Sequence, residues 1–329
     1  MTNTLIMVAL LALAGLFIFL AARALRARRA WIKWPAFVLS GLLGLLFLAV
    51  TAVAGYGFYR LTNPPYQYPP VEASLPVTGG AMTQEQLLAR GEKLAYLCGD
   101  CHSSSGNAVL DGSAEDFLAD PAAPPVGSMW APNITPGGVL KDYTDAQLVR
   151  AIREGVNKDG ESMVIMPSYA FHNMSDEDVA AVVAYLRSQP AVERELPDRQ
   201  LNVLAAVLFG AGMFPMSPQS PVTEAITAPA AGTVEHGKYT IDIMGCADCH
   251  GAKMDGVGMF GPGVNLTQIV PDWTEEEFIT FFRTSTDPKT GRAITEMPVG
   301  SYDKALSDEE LSDMWKFLNG MPRVESPAR

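Results

Sequence analysis

Cys98, Cys101 and His102 stand together in "CGDCH", and Cys246, Cys249 and His250 in "CADCH". These four cysteines are the only ones in the chain. A paired cysteine motif can serve as a redox dithiol, a zinc half-site or an attachment point for c-type haem. A thioredoxin-like dithiol needs a βαβ setting, and the sequence offers none. A zinc site usually draws on two converging ligand pairs, whereas each half of this chain supplies one. A histidine placed directly after the second cysteine fits the third chemistry. Two thioether bonds hold a porphyrin, and the histidine ligates its iron from one side. With all four cysteines used in this way, none is left for a disulfide.

The residues around the motifs repeat as well. "RGEKLAYLCGDCH" is followed by "APNITPGG", "DYTDAQLVRAIREGV" and "MPSYAFHNMSDEDVAAVVAYL". In the same order, "HGKYTIDIMGCADCH" is followed by "GPGVNLTQIV", "DWTEEEFITFFRTS" and "MPVGSYDKALSDEELSDMWKFL". From Asn133 to Met166 is 33 residues, and from Asn265 to Met297 is 32. The first unit carries 16 extra residues between its histidine and its asparagine. This is a tandem duplication with one loop expanded.

Each unit reads as helices joined by loops. Thr144 with Gln147, and Thr274 with Glu277, have the spacing of a capping box, and Tyr143 and Trp273 can staple onto Leu148 and Phe278. Ser175 and Ser307 open the last helices. Val179, Val182, Val183 and Leu186 make one apolar stripe, matched by Leu311, Met314, Trp315 and Leu318. Gly91 and Gly237 permit close helix crossings under Tyr185 and Phe317. Neither unit contains a convincing strand. Leu201–Phe214, "LNVLAAVLFGAGMF", is too short to span a bilayer and reads as a packed interdomain helix. The only histidines outside the motifs, His172 and His236, read as surface residues.

Residues 1–60 are of another kind. Leu5–Ala22 is 18 residues without a charge, and Pro35–Tyr59 is 25. The second is comfortably long enough to cross a membrane and the first is near the lower limit. A cleaved signal peptide fits the first poorly, because "MTNT" ahead of it carries no positive charge. Between them "RALRARRAWIKW" carries five positive charges, which places the connecting loop in the cytoplasm and both ends of the hairpin outside. The segment has no histidine and no acidic residue, so it offers neither haem ligands nor a proton path. Its six basic residues leave 18 basic against 36 acidic over the rest of the chain. That balance argues against nucleic acid as a partner. The Pro- and Gly-rich stretch after Tyr59 reads as an extended tether.

On these motifs, "NITPGG" and the two Met-Pro sequences included, each unit resembles a class I cytochrome c domain. Over about residues 81–325 the tandem is similar to dihaem c-type cytochromes related to the cytochrome subunits of bacterial membrane alcohol and gluconate dehydrogenases. Those subunits usually carry three haems and lack the N-terminal hairpin. The resemblance implies that a methionine closes the far side of each iron. Met166 and Met297 hold equivalent places in the repeat, with Met163 a rival in the first unit. The expected architecture is all-α: a transmembrane hairpin (1–60), a tether (61–80), two cytochrome c domains (81–190 and 233–325) and, between them, an interdomain helix and linker (191–232). The expected cofactors are two covalently bound haem c groups, held by Cys98, Cys101, Cys246 and Cys249, with His102, Met166, His250 and Met297 on the irons. The implied function is single-electron transfer between redox protein partners on the outer, periplasmic face of the cytoplasmic membrane. The alternative is the cytochrome subunit of a larger dehydrogenase or cbb-type oxidase. A haem enzyme with an open iron is disfavoured by the two Met-Pro sequences.

Overall fold

The computed structural model describes residues 2–71, 77–106, 109–121, 123–213, 218–259 and 263–326. Residues 72–76 of the expected tether and Phe214 of the expected interdomain helix lie outside these. The chain divides into two compact units, and neither is continuous in sequence.

The first unit comprises Met1–Pro65, Glu115–Trp130 and Pro197–Pro215. It opens with α1 (Thr2–Ala24) and α2 (Ala30–Thr62), both long and apolar enough to cross a membrane. At 33 residues α2 is about 50 Å long, well beyond a hydrocarbon core of about 30 Å. The two helices meet where Phe17 stacks on Phe47, with ring centroids 5.7 Å apart.

The second unit carries both repeats, in Tyr66–Ala114, Ala131–Leu196 and Met216–Arg329. The first repeat contains α3 (Gln84–His102), α4 (Asp145–Glu154), α5 (Ser168–Phe171) and α6 (Asp176–Ser188). Between the repeats runs α7 (Val203–Gly210), which belongs to the first unit. The second repeat contains α8 (Val234–Ile243), α9 (Ala247–His250), α10 (Leu266–Ile269), α11 (Glu275–Thr284), α12 (Val299–Ala305) and α13 (Asp308–Asn319). The expected caps form. Thr144 with Gln147 and Thr274 with Glu277 close capping boxes, while Ser175 and Ser307 accept from the N–H groups of Asp178 and Glu310. Each such cap is worth about 1 kcal/mol.

In each repeat the helix that leads into the cysteine motif crosses the last helix at a glycine. A Cβ at Gly91 would lie 2.0 Å from Ala181 O, and one at Gly237 would lie 1.9 Å from Asp313 O. Only glycine lets these backbones touch. Beneath the crossings the cores of the two repeats merge into one buried cluster. Leu94, Val179, Val182 and Leu186 come from one side, and Ile241, Leu311, Met314 and Leu318 from the other.

The segment expected as an interdomain helix packs instead on the hairpin. α7 is so close to α2 that a Cβ at Gly57 would lie 1.8 Å from Ala206 O, and one at Gly210 would lie 2.1 Å from Val53 O. Ala54 and Ala206 are fully buried there. The 16 residues Glu115–Trp130 join the same unit. Their strand β1 (Gly127–Ser128) pairs antiparallel with β2 (Gln200–Leu201), just ahead of α7. The expanded loop of the first repeat therefore builds a platform with the hairpin. Apart from this ribbon the described residues hold only isolated bridges, in keeping with an all-α protein.

Candidate haem-binding sites

Cys98, Cys101 and His102 occupy the last turn of α3, a helix started by the Thr83–Gln86 capping box. In the second repeat the approach is shorter: α8 ends at Ile243, Cys246 caps α9, and His250 closes it. All four cysteines are free thiols. Burial pushes the thiols of Cys98 and Cys246 up to about 12. They are protonated sulfurs set against the core, unlike the low-pKa thiolates of redox dithiols.

Both histidines are held alike. His102 Nδ1 is 2.8 Å from Pro132 O, and His250 Nδ1 is 2.8 Å from Val264 O. Each carbonyl must receive a proton from the ring, so Nδ1 carries the hydrogen and Nε2 keeps its lone pair. Burial lowers both imidazole pKa values, more than the carbonyl contact raises them, and so favours the neutral form that binds metal.

The carbonyls belong to the residues just before Asn133 and Asn265. Asn133 Oδ1 accepts from Thr135 N (2.9 Å) and Oγ1 (2.7 Å), and its amide donates to Val192 O (2.7 Å). Asn265 repeats this on Thr267 N (3.0 Å), Thr267 Oγ1 (2.7 Å) and Val324 O (2.9 Å). The two "N-x-T" triplets are thus clamps that fix the histidine's partner. The sequence displayed the triplets but did not reveal this role.

Met166 and Met297 lie at matching points. Ser168 N donates to Met166 O, and Val299 N to Met297 O, both at 2.8 Å. Both side chains pack on the buried cluster, as do Cys98 and Cys246. Three residues earlier, Met163 N donates to Gly155 O and Ile294 N to Ser285 O, again both at 2.8 Å. Met163 therefore corresponds to an isoleucine in the second repeat, whereas Met166 corresponds to a methionine.

His236, expected at the surface, is buried at 8 % exposure. Thr233 caps α8 through His236 N, which turns the ring inward so that Nδ1 lies 2.8 Å from the fully buried Asp313. His172 is half-buried, with Nδ1 3.1 Å from Arg153 O.

The two repeats are fastened by polar groups as well as by their common core. Arg90 on α3 binds Asp178 on α6 with two hydrogen bonds (2.7 and 3.1 Å) and also reaches Glu310 on α13. Tyr239 on α8 donates to Asp178 Oδ2 (2.6 Å) and accepts from Ser175 N (2.9 Å). The residues fit a covalently held haem in each repeat, with protonated thiols free of disulfides and a neutral histidine whose Nε2 is available.

The family profile of cytochrome c matches residues 88–190 and 234–322, more than half of the chain. The chain belongs to the cytochrome c family, whose cofactor is covalently bound haem c. It is 28 % identical over 272 residues to a subunit of the nicotinate dehydrogenase of Pseudomonas putida, covering 71 % of this chain and 21 % of that protein. It is 26 % identical to the cytochrome c subunit of the quinone-type alcohol dehydrogenase of Gluconobacter oxydans (73 % of this chain, 56 % of the relative). Against the cytochrome subunit of fructose dehydrogenase of Gluconobacter japonicus it is 27 % identical (71 % and 52 %). The chain thus spans about a fifth of the first relative and about half of the other two.

Proposed function

We propose that the chain is a membrane-anchored dihaem cytochrome c that carries single electrons on the outer, periplasmic face of a bacterial cytoplasmic membrane, as an electron-transfer protein without catalysis of its own. Cys98 and Cys101 hold one haem and Cys246 and Cys249 the other, in domains spanning 81–190 and 233–325. His102 and Met166 would supply the ligands of the first iron, and His250 and Met297 those of the second. When bound, haem c supplies a one-electron couple, and a methionine ligand favours its reduced form. The chain's residues do the rest. The carbonyls of Pro132 and Val264 fix the histidine rings, the Asn-x-Thr clamps fix those carbonyls, and each Met-Pro turn precedes a serine-capped helix that holds it. An iron held by a histidine and a methionine would leave no open position for substrate, which suits a carrier. The observation that carries this reading is the repetition of the whole arrangement, histidine clamp and methionine turn alike, in two halves of one chain.

The relatives, named as subunits of dehydrogenases, support a second reading. Here the chain is the cytochrome subunit of a larger membrane oxidoreductase, a dehydrogenase or a cbb-type terminal oxidase, and the hairpin docks on another membrane protein of that complex. Denatured protein should retain two haems by mass, and Cys98→Ala or Cys246→Ala should each remove one. Haem that extracts freely into acidified organic solvent would refute the attachment. Mass spectrometry of proteins co-purifying from mild detergent separates the free carrier from the member of a complex.

A further inference from the structure

Each cysteine motif has an aspartate just before its second cysteine, Asp100 in the first and Asp248 in the second. Each aspartate is bound by the methionine turn of the opposite repeat. Tyr169, three residues after Met166, donates to Asp248 Oδ2 at 2.6 Å. Ser301, four residues after Met297, donates to Asp100 Oδ1 at 2.6 Å. Both lengths are those of an O–H donor on a carboxylate. The partners are 79 and 201 residues apart in sequence, yet the exchange is reciprocal. Around Asp100 the contact is broader: Lys304 stands 5.3 Å from the centre of the Tyr96 ring, and a 330 Å³ cavity is lined by Gly99, Asp100, Pro298 and Ser301.

We infer that Tyr169 and Ser301 are positioning residues that set the potential of the haem in the opposite domain, Tyr169 through Asp248 and Ser301 through Asp100. The inference rests on reading the cysteine motifs as haem attachments. A carboxylate beside a one-electron centre stabilises its oxidised, more positive form and lowers its potential. A hydrogen-bond donor draws off part of that negative charge and raises the potential again. Here the carboxylate comes from the domain that holds the haem, and the donor comes from the other. Closure of the interface therefore raises both potentials, and neither domain alone has its working value. Electron transfer itself is unchanged in kind: one electron leaves one iron and one is gained by its partner.

The test is a redox titration of the full chain carrying Tyr169→Phe or Ser301→Ala. Haem content is measured first, and each potential is assigned from haem-methyl resonances traced to neighbouring residues. Tyr169→Phe should lower the second haem's potential and leave the first unchanged, and Ser301→Ala should do the reverse. Asp248→Asn should raise the second haem's potential, and adding Tyr169→Phe to it should then cause no further change. Unmoved potentials in both single variants would overturn the inference. So would both potentials shifting together in each variant, the signature of a merely loosened interface. Loss of the haem reading would show separately, as missing covalent haem.

Discussion

Gly91 lies directly against the carbonyl of Ala181, where a Cβ would come within 2.0 Å of the oxygen. The obstacle is backbone at the centre of a helix crossing, and it cannot rotate away as a side chain tip would. Gly91→Ala should therefore destabilise the protein by about 1–3 kcal/mol. Gly237→Ala, against Asp313 O, should do the same. Chemical denaturation followed by circular dichroism measures both. An unchanged midpoint would mean that the helices separate without cost.

Arg90 should govern acid stability. Burial opposes the charges on Asp178 and Glu310, but the Arg90 guanidinium, together with hydrogen bonds from Tyr239 to Asp178 and from Ser307 to Glu310, outweighs it and holds both carboxyls below their ordinary range. A carboxyl depressed by folding stabilises the native state above its unfolded pKa, about 4, and that stabilisation fades as the pH falls through the lower native value. Arg90→Met leaves two buried carboxylates without their cation and should cost about 3 kcal/mol at neutral pH. Protonation then relieves the variant, so its deficit should shrink as the pH falls toward 4. Denaturation midpoints at several pH values give both curves. A deficit constant with pH would assign the loss to packing.

The proposed ligation by Met166 and Met297 is open to spectroscopic measurement. Oxidised protein should show the near-infrared sulfur-to-iron absorption for both haems, and reduced protein should bind carbon monoxide poorly. Met297→Ala or Met166→Ala should each remove one band and open one iron to carbon monoxide. Met163→Ala should change neither, because its counterpart in the second repeat is Ile294. Ready carbon monoxide binding by the unaltered protein would identify a five-coordinate iron and favour an oxidase subunit or an enzyme.

Topology is open to direct measurement. A reporter active only in the periplasm should work when fused after Arg329 and fail when inserted within Arg26–Lys33. The opposite result would place the haem domains in the cytoplasm.

Much of the frame around each candidate haem site was legible because its signals are local. The capping boxes and the apolar stripes of α6 and α13 are each written within a single helix. Repetition then sets Met166, matched by Met297, apart from Met163, matched by Ile294. What stayed hidden depends on distant contacts. His236 sits in a first turn that looks exposed, and only the packing of α13 makes it a buried partner of Asp313. Pro132 and Val264 act through backbone carbonyls, which carry no mark of residue type. Tyr169 and Ser301 meet their aspartates across the two repeats, beyond the reach of any periodicity. α7 was legible as a helix, but its small residues did not say which surface they would meet.

The platform built from Glu115–Trp130 and α7 changes what the tether can mean. The chain passes between the two compact units at five points: near residues 65, 114, 130, 196 and 215. A protease that cuts only within 66–80 would sever the hairpin from the rest of the chain, yet α7 packed on α2 would still hold it, so the two fragments should co-purify. A fragment beginning after the hairpin would carry α7 stripped of the surface that covers Ala206 and would tend to aggregate. The hairpin, the inserted loop and α7 form one compact unit, so a form without the hairpin is best made by excising the inserted loop and α7 along with it.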